Sequence, residues 1–112
     1  MSEITFQQIE AEVRRLADEK PEFVYKSYEG ACFYNPAERE GKQYGACIFG
    51  QAFKNLDFEV KEDYEYKSIG TLLELLDVET TLGEFMWAGA VQRLQDGGTA
   101  WGEAVSLADS QR

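Results

Sequence analysis

The sequence contains no histidine, only two cysteines, and 11 basic side chains against 21 acidic ones. The missing histidine removes the commonest general base near neutral pH and the commonest zinc ligand, and with them Ser-His-Asp and Cys-His catalysis. The cysteines, Cys32 and Cys47, also lack the CxxC spacing of a zinc site. We therefore predict no catalytic residue, no metal site and no cofactor.

The shortage of basic side chains argues against a second group of functions. A formal net charge of -10 opposes contact with phosphate backbones, because nucleic-acid binding depends on clustered Lys and Arg. No apolar run approaches the roughly 20 residues of a membrane span, and the N-terminus "MSEITFQQIE" has no basic region followed by an apolar one. These absences predict a cytoplasmic protein with reduced thiols that binds neither nucleic acid nor membrane directly.

The apolar side chains that are present suffice for one core. The hydrophobic fraction is 44%, and the aromatic residues are two Trp, six Tyr and seven Phe. Since there is no internal repeat or linker, residues 1–112 are expected to form a single domain. Thr5 with Gln8 predicts a capping box at the start of the first helix, which ends at Pro21.

A β-hairpin is predicted after this helix. Its arms are "EFVYKSYEGACFYN" and "QYGACIF", which are rich in strand-favouring residues, and the polar stretch "NPAEREGK" is the loop between them. A third short strand is allowed near Phe58 to Val60, and the hairpin edge is open to homodimer formation. Cys47 is expected in the first turn of the second helix.

Three further helices follow in the prediction, with Ser68, Thr81 and Thr99 as their N-caps. Thr81 forms a capping box with Glu84, and Gly97 or Gly98 ends that helix in the left-handed conformation. Its inward face is predicted to carry the apolar residues Leu82, Phe85, Met86, Ala90 and Leu94. The fold class is thus α+β: an N-terminal helix and a hairpin covered by three or four further helices.

Cys47 and Gly50 pose a question about chemistry in "YGACIFGQAF". A thiol at a helix N-terminus can have a lowered pKa, but the chain offers no histidine to take its proton. Cys47 is therefore interpreted as a small packing residue, which could face Cys32 without forming a disulfide in a reducing compartment. Gly50, costly within a helix by roughly 1 kcal/mol relative to Ala, indicates close approach of another backbone or a ligand.

The acidic run "DFEVKEDYEYK" is interpreted as a solvated connector. Its carboxylates Glu59, Glu62, Asp63 and Glu65, together with the hairpin loop, form a candidate surface for a protein partner. A compact acidic protein can also imitate nucleic acid on a basic partner, so a DNA-mimic inhibitor is a variant of this hypothesis.

The stretch "WAGAVQRLQDGGTAWGEAV" brings amide side chains and an indole to one tight turn. Such a corner can be held by internal hydrogen bonds, or it can open as a pocket for a small neutral or singly charged ligand. The candidate ligand-binding residues are Gln51, Gln92, Gln95, Asp96 and Trp101.

Two motifs together resemble a group of small proteins encoded by actinobacteriophages and some of their hosts. The group's pattern is C-x-Y, a turn, C-I-x-G-x-A-L, and later Q-D-x-G-x-x-W-x-x-A-V. The matching residues here are Cys32, Tyr34, Cys47, Ile48, Gly50, Ala52, Gln95, Asp96, Gly98, Trp101, Ala104 and Val105, with Phe53 in place of the usual leucine.

The resemblance implies a phage accessory protein in the host cytoplasm, and it carries no activity over. Small acidic phage proteins without catalytic groups usually act by binding. The expectation is therefore a non-enzymatic protein that binds a host protein. The alternatives are a small-molecule binder or sponge, a DNA mimic, and an enzyme that uses Cys47 as its nucleophile.

Overall fold

The computed structural model describes residues 4–30 and 32–112, and it shows an α+β fold with an N-terminal helix. Five α-helices and one two-stranded antiparallel sheet follow along the chain. They are α1 (Phe6–Glu19), β1 (Ala37–Arg39), β2 (Lys42–Tyr44), α2 (Ile48–Asn55), α3 (Ile69–Leu75), α4 (Leu82–Asp96) and α5 (Trp101–Ser110). Helix α1 packs on α2 and α5, while α4 packs on α2, α3 and α5.

The predicted capping boxes are confirmed at the starts of α1 and α4. The Thr5 hydroxyl accepts from the Gln8 amide, and the Gln8 side chain accepts from the Thr5 amide. Thr81 and Glu84 make the same reciprocal pair. Each box satisfies backbone N–H groups that a helix start leaves without partners, which fixes where the helix begins.

The hairpin exists, but its first strand lies inside the segment that was predicted to be the loop, while its second strand overlaps the predicted second arm at Gln43 and Tyr44. Strand β1 pairs with β2 from Ala37 opposite Tyr44 to Arg39 opposite Lys42. Glu40 and Gly41 form the turn, and both have positive φ, at 52° and 78°. Two such residues make the turn whose twist matches paired strands, so the chain reverses here.

The predicted first arm, 22–35, forms no strand in its described part, and Ala31 lies outside the described residues. Its aromatic residues were interpreted as strand-forming, but they enter the core from an irregular segment. Tyr25, Phe33 and Tyr34 are each at most 4% exposed. The Tyr25 hydroxyl holds this segment, because it accepts from the Phe33 amide and donates to the Gly45 carbonyl, both at 3.0 Å.

The third strand predicted near Phe58 to Val60 is also absent from the described structure. Residues 58–61 are irregular, and a short 3-10 helix follows at Glu62–Tyr64. Val60 alone of this stretch is buried, at 3% exposure. The connector interpretation of this acidic segment therefore describes its backbone better than a strand does.

The inward face of α4 agrees with the predicted one at Ala90, which is buried, and differs from it at other positions. Leu82 is 74% exposed and Met86 is 60% exposed, whereas Gln92 and Gln95 are buried. The buried residues of this helix are Trp87, Ala88, Ala90, Val91, Gln92 and Gln95. An apolar pattern alone misassigned the face, because two of its members are amides that have hydrogen-bond partners inside the protein.

Helix α5 begins at Trp101, and its N-cap is Ala100 rather than the predicted Thr99. No side chain caps it. Instead the Trp101 amide donates to the Phe23 carbonyl at 2.9 Å, and the Gly102 amide donates to the Pro21 carbonyl at 3.0 Å. A distant backbone segment thus satisfies the first N–H groups of α5, which a local capping rule cannot anticipate.

Candidate functional site

Gln95 is fully buried, and it fixes the start of α2. Its Oε1 accepts from the Ile48 amide at 2.8 Å, and its Nε2 donates to the Asp96 carboxyl at 2.6 Å. Ile48 is the first residue of α2, so the amide side chain supplies the cap that Cys47, the N-cap residue, does not. With no exposed surface, Gln95 acts in this structure as a cap and not as a ligand contact.

Gln92 does the same for α3, one helical turn earlier on α4. Its Oε1 accepts from the Ile69 amide at 2.7 Å. Its Nε2 donates to the Tyr34 hydroxyl at 2.9 Å and to the Cys32 sulfur at 3.1 Å. Gln92, Tyr34 and Cys32 thus form one buried hydrogen-bond network, which joins α4 to the irregular segment before β1.

The two cysteines are free thiols at the centre of this network, and both are buried. Two main effects raise the pKa of the Cys32 thiol: the larger is a hydrogen bond with Cys47, and the smaller is burial. The Cys47 side chain makes no capping bond to α2. Because of its raised pKa, Cys32 is a poor nucleophile, and Cys47 is buried from reagents, so the geometry favours the packing interpretation of this pair.

Gly50 makes the close approach that its position in a helix indicated. A Cβ atom there would overlap the carbonyl oxygen of Tyr34 and lie 2.7 Å from its Cα and carbonyl carbon. The partner is therefore a backbone of the same chain. The neighbouring Gln51 is half-buried, and its Nε2 donates to the Ala46 carbonyl at 2.9 Å.

Trp101 is fully buried. Its ring packs on Phe23 with centroids 4.5 Å apart. Its indole Nε1 has no hydrogen-bond partner, although the atom is buried. The five predicted pocket residues do not share one pocket. Gln92 and Asp96 line one cleft and Gln95 donates to Asp96, whereas Gln51 and Trp101 do not line that cleft.

A cleft opens beside Gln92 and Asp96, between the start of α3 and the outer face of α4. Its volume is about 530 Å³. We call it the glycine cleft, because Gly30, Gly70, Gly89 and Gly97 line it together with Phe85, Gln92, Arg93 and Asp96. The sequence indicated its amide and carboxyl groups, but Phe85 was predicted to face the core.

Asp96 is the titratable group of this cleft. Burial raises the pKa of its carboxyl to about 6, and the hydrogen bond from Gln95 acts in the opposite direction. The Ser27 hydroxyl donates to the Asp96 backbone carbonyl at 3.2 Å, which ties the end of α4 to the segment after α1. Near neutral pH the folded protein therefore holds a partly buried carboxylate here.

Replacing Asp96 with Asn is expected to stabilise the protein at about pH 8 and to lose this effect near pH 4. Because the folded pKa is raised, the acid's contribution to stability is complete below its unfolded pKa of about 3.9 and is lost as the pH rises through about 6. Asn stays neutral, and its Oδ1 can still accept from Gln95. Urea unfolding measures the gain, which we expect to be about 1 kcal/mol at about pH 8, because solvent screens this partly exposed carboxyl.

The control for this substitution is Asp18→Asn, which removes the same formal charge from an exposed position on α1. Because Asp18 is exposed, its substitution should change the free energy of unfolding by no more than about 0.5 kcal/mol. Parallel stability curves for Asp96→Asn and the native protein would rule out the buried carboxyl as a source of pH dependence.

The acidic segment and the hairpin lie side by side, and Glu65 joins them. Its carboxylate accepts from the Tyr34 amide at 2.8 Å and from the Asn35 amide at 3.0 Å. The Asn35 side chain also donates to Glu65, at 2.9 Å, and to the Val60 carbonyl, at 2.8 Å. Glu65 is thus a structural residue, unlike the exposed Glu59, Glu62 and Asp63 with which it was grouped.

A groove of about 430 Å³ runs between this segment and the hairpin. We call it the acidic groove, and its lining includes Phe33, Ala37, Arg39, Glu59, Glu62 and Glu65. Arg39 lies over the Phe33 ring at 5.1 Å, and its Nε donates to the Tyr66 hydroxyl at 3.1 Å. Arg39 belongs to the hairpin loop that the sequence indicated as a contact surface, but its contact with Tyr66 was not predictable, because Tyr66 lies 27 residues further along the chain.

No protein-family model matches the chain, and no curated protein or solved structure matches it either. Within residues 4–30 and 32–112, no group of three Cys, Asp or Glu side chains could hold a metal ion, and no helix is long and apolar enough to cross a membrane.

Proposed function

We propose that the chain is a non-enzymatic binding protein of the phage accessory type, and that it acts by binding a protein of the host cell. The observation that carries this proposal is the acidic groove, where the two surfaces that the sequence indicated separately adjoin each other. The contact surface consists of the hairpin, Ala37–Tyr44, and the exposed carboxylates Glu59, Glu62 and Asp63.

These three carboxylates make no ion pair among the described residues. Among the ion pairs of the described residues, the cations are Arg14, Arg15 and Arg112, all of which pair with carboxylates outside the groove. Arg39 is the cation that lines the groove, but it stacks on aromatic rings. Exposed carboxylates without an internal counter-ion attract a cationic surface over a range set by the salt concentration.

The partner that fits is a protein with a patch of Lys and Arg. Charge complementarity of this kind speeds association and selects the partner, and it weakens as salt is added. A protein surface that normally contacts nucleic acid meets this description, so DNA mimicry remains a variant of the same proposal.

Capture of partners from host lysate tests the proposal. Tagged native protein should retain a host protein at low salt, and that protein should be released as salt is raised. The variant with Glu59, Glu62 and Asp63 all changed to Lys should lose it by roughly tenfold or more, since several charge contacts turn repulsive together. Glu65 stays unchanged, because its carboxylate holds the Tyr34 and Asn35 amides.

A matched variant changes Asp18, Glu22 and Glu74 to Lys, which alters the net charge equally at exposed positions outside the groove. It should capture the host protein as the native chain does. Equal loss in both triple variants would reduce the effect to net charge, and equal capture by all three proteins would eliminate the acidic groove as the contact surface.

A further inference from the structure

Gly89 is a glycine in the middle of α4 for which the chain itself gives no structural reason. At two other helical glycines the cause is visible: a Cβ at Gly50 would collide with Tyr34, and one at Gly102 would lie 2.9 Å from the Pro21 Cβ. A Cβ at Gly89 would meet nothing within 4 Å. An interior helical glycine is about 1 kcal/mol less favourable than alanine. Gly89 therefore lowers the stability of the protein, and no close contact requires it.

The open space at Gly89 belongs to the glycine cleft, which has an aromatic wall. Phe85 lies one helical turn before Gly89 and is half-buried. Its ring packs against the start of α3, because a Cβ at Gly70 would lie 2.6 Å from the Phe85 Cζ. Phe85 also lines the cleft, where an aromatic side chain can contact a planar group.

Two polar side chains of opposite charge lie at the other end of the cleft. Arg93 is exposed, one helical turn after Gly89, and Asp96 follows one turn later. The described structure contains no ion pair between them, and Arg93 makes no other ion pair or side-chain hydrogen bond there. Asp96 uses one carboxyl oxygen for Gln95. Donors and an acceptor therefore remain for a ligand that has both.

We propose that the glycine cleft binds a guanine-type nucleobase, or a nucleoside that carries one. The base stacks on Phe85 and lies close to the α4 backbone at Gly89. Arg93 donates to the adjacent O6 and N7 acceptors of the base, the pairing that its forked guanidinium fits best. The carboxylate of Asp96 accepts from the N–H groups on the other edge of the base.

The same groups disfavour a ligand with several phosphates. Arg93 is the sole cation that lines the cleft among its described residues, and the chain carries a formal charge of -10. Phosphate recognition commonly uses several charged donors, which this cleft does not provide. A neutral nucleoside matches the mainly apolar lining better, and the cleft volume of about 530 Å³ lies in the range of small-molecule sites.

Guanosine binding to the native protein tests the proposal, with adenosine and cytidine as competitors, measured by calorimetry and by the thermal unfolding midpoint. Gly89→Leu fills the cleft from a position with open space around it. Gly83→Leu is the matched control, because Gly83 is exposed in the same helix and outside the cleft. Guanosine should raise the midpoint of the native protein and of Gly83→Leu, but not that of Gly89→Leu.

Arg93→Met supplies a second reading that does not depend on filling the cleft. It replaces an exposed side chain, so the unfolding midpoint without ligand should hardly change. Guanosine affinity should fall by roughly tenfold or more, because the bidentate donor is lost. Adenosine and cytidine should bind more weakly than guanosine to the native protein.

Three results would overturn the proposal. The first is a native protein that guanosine does not stabilise at millimolar concentration. The second is equal guanosine binding by Gly89→Leu and Gly83→Leu, which would put any nucleoside site elsewhere. The third is a native dimer in sedimentation that Gly89→Leu converts to a monomer, which would assign the cleft to a second copy of the chain. None of these results affects the host-protein proposal, whose surface is the acidic groove.

Discussion

Replacing Gly50 with alanine is expected to destabilise the protein by about 3–5 kcal/mol, enough to populate the unfolded state markedly. The added Cβ would overlap the Tyr34 carbonyl oxygen and lie 2.7 Å from the Tyr34 Cα. Tyr34 cannot move away cheaply, because Glu65 holds its amide and Gln92 holds its hydroxyl. Urea unfolding followed by circular dichroism measures the loss as a lower midpoint or an absent cooperative transition.

Gly89→Ala is the matched control for this substitution. It makes the same change inside another helix, at a position where the Cβ meets nothing within 4 Å. We expect it to stabilise the protein by about 0.5–1 kcal/mol, since alanine favours the helix. An unchanged midpoint for Gly50→Ala would contradict the prediction and would mean that α2 and the Tyr34 segment separate without cost.

Helix starts were predictable from the sequence because their signals are local. Thr5, Ser68 and Thr81 each accept from a backbone amide three residues further on, so the pattern and the contact lie within one turn. The start of α5 shows the limit of this reasoning. There the carbonyl groups of Phe23 and Pro21 accept from the first amides of the helix, and they come from a distant segment. Thr99 was predicted as the N-cap because it is a capping residue type close to the helix start.

The first strand of the hairpin was predicted too early in the sequence, because aromatic residues occur both in strands and in irregular segments that pack into a core. Tyr25, Phe33 and Tyr34 favour strands by propensity, yet here they fill the core from irregular backbone. The short strands lie in or beside a charged stretch, which gives no strand signal. Glu40 and Gly41, both with positive φ, form the turn between them. Backbone conformation at two residues thus outweighed the composition of a longer segment.

The candidate site was predicted in part, for a physical reason that α4 makes clear. Gln92 and Gln95 were predicted to bind a ligand because they are polar residues near a tight turn. Their side-chain oxygens instead accept from the first backbone amides of α3 and α2. A sequence shows that an amide is present and not which distant helix start it meets. Gly50 was more informative, because glycine within a helix indicates close approach even before the Tyr34 backbone is known.

Replacing Gln95 with methionine is expected to cost about 2–4 kcal/mol of stability, although the two side chains are similar in volume. The Ile48 amide would lose its acceptor at a fully buried position, and Asp96 would lose the hydrogen bond from Nε2. An unsatisfied buried donor carries its full desolvation cost, which exceeds the net value of one hydrogen bond. Urea unfolding gives the total, and amide hydrogen exchange at Ile48 locates the defect at the start of α2.

Gln43→Met separates this effect from the substitution itself, because Gln43 is an exposed residue of β2 whose Nε2 lies 3.4 Å from Glu38. Its effect should stay within about 0.5 kcal/mol. Similar stability losses in the two variants would contradict the capping role of Gln95. A loss confined to Gln95→Met, with faster exchange at Ile48, would instead support the capping role of Gln95. Gln95 then determines where α2 begins, and the position of α2 places Gly50 against the Tyr34 backbone.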